Sequence, residues 1–146
     1  MIELASGKSV WRGMDYYEQG KVIDWNKSGP ETYSGTVQGE NIYHVFIDRE
    51  HPRKSTCDCP FAAGRRVICK HMIALLFTAE PDVPKRFIKE VEEYEREEEL
   101  RLETEYRQRR KDIEDYVRSL SKEELRTELV RAMLELHELR DSGMYW

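Results

Sequence analysis

The chain has 146 residues, 36% of them charged and 39% hydrophobic, with a net charge of -5 and a mean hydropathy of -0.79. This length suits one domain with an extension, or two very small domains, and so polar a chain does not bury a core along its whole length. There is no run of 18 apolar residues, so no membrane span is expected, and the opening MIELASGKSVWRG lacks the apolar core of a signal peptide.

A cytosolic setting follows, nuclear if the source is eukaryotic. The charge is unevenly placed. Residues 1–80 carry ten basic and ten acidic side chains, whereas residues 81–146 carry fourteen and nineteen. The chain is expected to divide near Pro81–Pro84, into a domain over 1–80 and a charged helical extension over 81–146. The acidic extension argues against a protein that coats nucleic acid generally, while leaving room for a local basic patch.

In chain order, Val10–Gln19 has helical spacing through Trp11, Met14 and Tyr17, with Gly20 placed as a C-terminal cap. KVIDW, 21–25, has the β-branched and aromatic content of a strand, and NKSGP, 26–30, reads as a turn. TYSGTVQG, 32–39, alternates Tyr33, Gly35 and Val37 against polar neighbours, as a strand with one buried face does. GEN, 39–41, turns the chain into IYHVFID, 42–48. There Tyr43, Val45 and Ile47 share one face, and Ile42, His44 and Phe46 share the other. Three strands with short turns predict an antiparallel meander.

From Cys69, CKHMIALLFTAE has the composition of a buried helix. The stretch KRFIKEVEEYEREEELRLETEYRQRRKDIEDYVRSL then runs 36 residues without glycine or proline. Phe87, Val91, Tyr94, Leu102, Tyr106, Ile113, Val117 and Leu120 recur at helical spacing, and Glu98 and Arg109 occupy two of the expected apolar slots. So thin a stripe needs i,i+4 charge pairs such as Glu92–Arg96, Glu97–Arg101 and Glu103–Arg107. Ser121 and Glu124 form a capping box for a last helix striped by Leu125, Leu129, Met133, Leu136 and Leu139, and the tail DSGMYW is expected to fray. The two helices suit a helical hairpin or an oligomerising arm. The expected class is α+β: a small antiparallel meander with a short helix, followed by an all-helical extension.

All three cysteines fall within STCDCPFAAGRRVICKH, residues 55–71. Cys57 and Cys59 are one residue apart, and so are Cys69 and His71. In extended chain, residues i and i+2 point to the same side, so Cys57 and Cys59 can present two sulfurs from one strand end, which Pro60 closes. Cys69 and His71 offer a second pair where the helix begins, and a helix N-terminus favours thiolate. Gly64 lets the intervening loop turn. In a reducing compartment such a cluster reads as a four-ligand structural zinc site. Three buried core thiols with a stray histidine are the plain alternative. A catalytic zinc would keep an open position, and a redox dithiol more often has two residues between its cysteines. His44, His51 and His137 are expected to be bystanders.

The pattern C-x-C-x9-C-x-H, behind a β-meander and ahead of KHMIALLF, resembles the SWIM-type zinc finger family over about residues 8–78. The resemblance implies that Cys57, Cys59, Cys69 and His71 bind zinc. It also implies a role in binding DNA or other proteins. Members occur beside transposase, helicase-like ATPase and ubiquitin-ligase modules, none of which is evident in this sequence.

Arg49, Arg53, Lys54, Arg65, Arg66 and Lys70 outnumber Glu50 and Asp58 around the cluster, a local net of +4 over residues 49–71. Arg53, Lys54, Arg65, Arg66 and Lys70 are candidates to face phosphate of DNA or RNA, and Phe61 to stack on a base. Two readings stay open. One is a zinc-dependent, non-catalytic module that binds nucleic acid, DNA ahead of RNA. The other is an adaptor whose helices bind a protein partner, such as a helicase-like ATPase, or a second copy of the chain. No nucleophile–base pair or phosphate loop is apparent, so no enzyme is expected.

Overall fold

The computed structural model describes residues 1–141; the tail from Ser142 onward, whose fraying the sequence predicts, lies outside the described residues. Two compact units follow one another, Met1–Glu92 and Glu93–Trp146.

The first unit is an α+β head. Helix α1, Gly7–Glu18, begins three residues before the expected Val10, because Ser6 caps it: the Ser6 hydroxyl oxygen accepts from the Ser9 N–H at 3.1 Å. Strands β1 (Val22–Gly29), β2 (Thr32–Gln38), β3 (Ile42–Asp48) and β4 (Thr56–Cys57) form one antiparallel sheet in the order β1-β2-β3-β4. The expected meander is present with β4 as a fourth strand.

One expected turn is corrected. Asn26–Gly29 continue β1, and the chain reverses at Pro30 and Glu31, because Asn26 and Lys27 pair with Ser34 and Tyr33. Cross-strand pairing outweighs the local turn chemistry of NKSGP.

The expected faces of β2 and β3 hold. Tyr33, Val37, Tyr43, Val45 and Ile47 are buried, with Cys57 opposite Val45 extending the same face. Helix α2, Lys70–Ala79, covers it with Met72, Ile73, Leu75, Leu76 and Phe77, all buried. On the far side of α2 lies α1, which buries Ser9, Val10, Gly13 and Met14 at helical spacing. Gly13 makes the close approach possible: a Cβ there would stand 2.5 Å from the Ile73 Cβ. The head is thus sheet, α2 and α1 in layers.

Helix α3, Asp82–Ser119, starts at the two prolines. Pro84 sits in its first turn, where a missing N–H leaves no bond unmade. Val83 is buried, and Phe87 and Ile88 pack against the head core. The Phe87 ring lies 5.3 Å from Trp11 and 6.4 Å from Phe77, centroid to centroid. These contacts carry the compact head past the prolines to Glu92.

The second unit contains the rest of α3 and helix α4, Lys122–Asp141. None of its described residues is buried. Tyr94, Leu102, Tyr106, Ile113 and Val117 on α3, and Leu125, Leu129, Met133, Leu136 and Leu139 on α4, are all exposed. The capping box is formed reciprocally: the Ser121 N–H donates to Glu124 at 2.8 Å, and the Glu124 N–H donates to the Ser121 hydroxyl at 3.3 Å. Glu103–Arg107 pairs as expected, at 2.7 Å. Arg101 is held by Glu98, with Glu105 at 3.8 Å, in place of the expected Glu97.

Candidate metal centre

Pairing of Cys57 with Val45 puts the first sulfur on the buried face of the sheet. Asp58 points outward, accepting from the His44 N–H at 2.8 Å and meeting the His44 ring at 2.9 Å. Cys59 therefore returns to the buried side, as the alternation requires. Pro60 then leads into a turn in which the Ala62 and Ala63 N–H groups donate to the Cys59 carbonyl. Gly64 takes a positive φ of 70°, open to glycine at no steric cost. The loop ends at Cys69, the N-cap of α2, and His71 follows in its first turn.

The structure brings Cys57, Cys59, Cys69 and His71 together. All four are buried, and one ligand atom from each lies within 4.8 Å of the others. Nδ1 of His71 faces the sulfurs, 3.7 Å from Cys57 and 4.0 Å from Cys69. At the corners of a zinc tetrahedron, bonds of about 2.3 Å to sulfur and 2.0–2.1 Å to nitrogen put S and N roughly 3.6 Å apart. The donor set and its burial therefore fit a closed four-coordinate ion: the two Nδ1–sulfur distances need to shorten by a few tenths of an ångström at most, and the widest ligand spacing, within 4.8 Å, by about one.

The imidazole is gripped from its other side. Tyr43 stacks on it, and the Tyr16 ring lies 5.3 Å away. Nε2 is buried with no hydrogen-bond partner among the described residues. Gly39 leaves room there, since a Cβ would come within 3.1 Å of Nε2.

Electrostatics separate the sulfurs. Cys69 is lowered to about 4, chiefly by a hydrogen bond from Cys57, with His71 and the Met72 N–H adding to it. Cys57 is pushed far up by that same bond and by burial, and Cys59 is raised by burial and by the Cys69 charge. A divalent cation would displace the proton that Cys57 shares with Cys69 and supply the counter-charge that lets all three sulfurs ionise.

The histidines expected as bystanders stand apart from the cluster, each beside a carboxylate. His44 meets Asp58 at 2.9 Å, His51 meets Asp48 at 3.7 Å, and His137 meets Asp141 at 3.1 Å.

The basic candidates come from several elements. Arg49 belongs to the fold, bridging Glu31 at 3.3 Å and Glu80 at 2.8 Å. Arg53 and Lys54 lie in a 3-10 turn, Pro52–Lys54, at the Asp48 end of β3, whereas the cluster sits beside Tyr43 at the other end. Arg65 and Arg66 are exposed in the loop after Gly64. Lys70 reaches back to α1, its Nζ donating to the Tyr16 hydroxyl at 2.7 Å and lying 4.4 Å from that ring's centroid.

Next to the cluster is a cleft of about 360 Å³ that the sequence does not announce. Lys8 and Arg12 of α1, Lys70 of α2 and Phe61 of the loop line it, with Ser6, Ser9, Cys59, Cys69 and His71. First-turn residues of both helices thus face one space, where the positive ends of their dipoles add to three cationic side chains. No acidic residue lines it, and Lys8 and Arg12 hold no ion pair among the described residues. Phe61 is 52% exposed at its rim. Lys8 and Arg12 are a turn apart on α1, an ordinary surface spacing, and nothing local in the sequence ties them to residues 59–71.

The SWIM zinc finger family model matches residues 43–80. The match runs from Tyr43 on β3 to the end of α2 and is narrower than the resemblance expected over 8–78. α1, β1 and β2 lie outside it. No curated protein and no solved structure gives a match.

Proposed function

Starting from a SWIM zinc finger at residues 43–80, we propose that the head is a non-catalytic nucleic-acid-binding module stabilised by zinc. Cys57, Cys59, Cys69 and His71 hold the ion, which cross-links β4, the loop and the start of α2. A closed site of four protein ligands leaves no position for substrate, so its contribution is structural.

The cleft beside the cluster supports the nucleic-acid reading. In a chain of net charge -5, three cations converge there with no acid between them. A phosphate backbone suits that field, and each phosphate engaged makes binding more sensitive to salt. Phe61, exposed at the rim, offers a face for an unpaired base, which favours single-stranded DNA or RNA over duplex. Arg65 and Arg66 add charge along the adjoining loop. Arg53 and Lys54, at the other end of β3, meet the strand only if it runs along the sheet.

The test is fluorescence anisotropy of labelled single-stranded and duplex oligonucleotides with the zinc-loaded full chain, over a range of salt. Binding is expected to weaken steeply with salt. Lys8→Ala with Arg12→Ala should reduce the log–log salt slope by about 2, one for each phosphate no longer neutralised. Folded, zinc-loaded protein that binds no oligonucleotide at low salt overturns the proposal.

A further inference from the structure

Within the second unit, one face of α3 carries Tyr94, Glu98, Leu102, Tyr106, Arg109, Ile113 and Val117. The apolar members are between 41% and 68% exposed. The pattern repeats after eleven residues, Leu102 to Ile113, Tyr106 to Val117, and Glu98 to Arg109. An eleven-residue period keeps such a stripe in line on helices that wind about each other with a right-handed supercoil. Tyr94 to Val117 spans roughly 35 Å at 1.5 Å per residue.

Charge is segregated along the same helix. Residues 92–99 hold six acids and one base, and residues 107–111 hold four bases and no acid. Arg107 and Arg110 each hold an exposed pair inside the chain, with Glu103 and Glu114. Glu97, Glu99, Arg109 and Lys111 hold none among the described residues.

From this we infer that α3 pairs with α3 of a second copy of the chain, antiparallel, about a two-fold axis between Glu103 and Thr104. That axis sets Tyr94 opposite Ile113, and Glu98 opposite Arg109, at both ends at once. Leu102 and Tyr106 meet near the centre. Glu97 and Glu98 then face Arg110 and Arg109 of the other copy, while Glu92, Glu93 and Glu95 face Asp115, Glu114 and Asp112; a parallel pair would set the whole acidic run on itself. The helix carries its own complement, which is what an isologous contact requires and an unrelated partner would not explain. The two polar slots in the stripe become the elements that choose orientation and register. The inference stands apart from any nucleic-acid binding by the head.

The test is the mass of the zinc-loaded full chain by sedimentation equilibrium, with far-UV circular dichroism confirming each variant's fold. Wild type is expected at twice 17.4 kDa. Glu97→Arg with Glu98→Arg should give monomer, and so should Arg109→Glu with Arg110→Glu. All four changes in one chain should restore the dimer, because the antiparallel pair is then reversed in sign but still complementary. A monomeric wild type, a dimer that survives either reversal, or a fourfold variant that stays monomeric overturns the inference.

Discussion

The ring of Tyr43 lies 4.6 Å from that of His71, centroid to centroid, with the planes 27° apart. Tyr43 comes from β3 and His71 from the first turn of α2, so this stack ties the sheet to the helix at the metal cluster. It fixes the imidazole plane and leaves Nδ1 facing the sulfurs. Tyr43→Ala is expected to destabilise the head by about 3–5 kcal/mol, as other large-to-small core changes do, and to weaken zinc binding. Tyr43→Phe keeps the ring and should melt close to wild type. Thermal melting with a chelator competition checks both, and unchanged zinc affinity in Tyr43→Ala would show that the ring does not position the ligand.

Removing the ion should unfold the head. Structural zinc binding of about 10–16 kcal/mol is coupled to folding in small zinc domains. Cys69→Ser, or a strong chelator on wild type, is expected to abolish the near-ultraviolet signal of the buried tyrosines while far-ultraviolet helicity from α3 and α4 persists. A Cys69→Ser chain that melts like wild type would contradict this.

Acid should release the metal. Cys69 is lowered from its ordinary 9.0 to about 4. A depressed acid stabilises the folded form above its ordinary value, and that contribution falls away as the pH drops from about 9 through about 4. Cys57 and Cys59 are raised, so they stay ionised only while a cation holds them, and protons compete for them first. Zinc should remain bound at neutral and mildly alkaline pH and be lost on acidification before pH 4. A chromophoric zinc indicator followed against pH tests this, and metal retained at pH 3 would refute it.

Gly13 is expected to tolerate no side chain. The added Cβ would stand 2.5 Å from both Cβ and Cγ2 of Ile73 and 3.0 Å from the Lys70 carbonyl oxygen. Neither a buried β-branched residue nor helix backbone yields easily, so Gly13→Ala should cost about 1–3 kcal/mol, more than offsetting alanine's better helix propensity. Denaturant melting of the head reads this, and a stabilised Gly13→Ala would mean that α1 can move away freely. Because Lys8 and Arg12 ride on α1, the same variant should also weaken oligonucleotide binding.

What the sequence alone determined is local. The spacing of Cys57, Cys59, Cys69 and His71 marks the metal cluster, because i and i+2 in extended chain share a face. Alternation along Thr32–Gln38 and Ile42–Asp48 marks the buried face of the sheet. Ser121 with Glu124 starts the last helix, and the long stretch without glycine or proline marks α3. Each of these depends on neighbours a few residues apart, whose relative positions follow from backbone geometry. The tertiary structure decided the rest. It extended β1 through a turn-like segment by pairing it, and took Arg49 out of the basic set through Glu31 and Glu80. It carried the head to Glu92 through Phe87, and set Lys8 and Arg12 beside Phe61 and Lys70. Those outcomes depend on how distant segments pack, and no short-range pattern encodes packing between residues fifty positions apart.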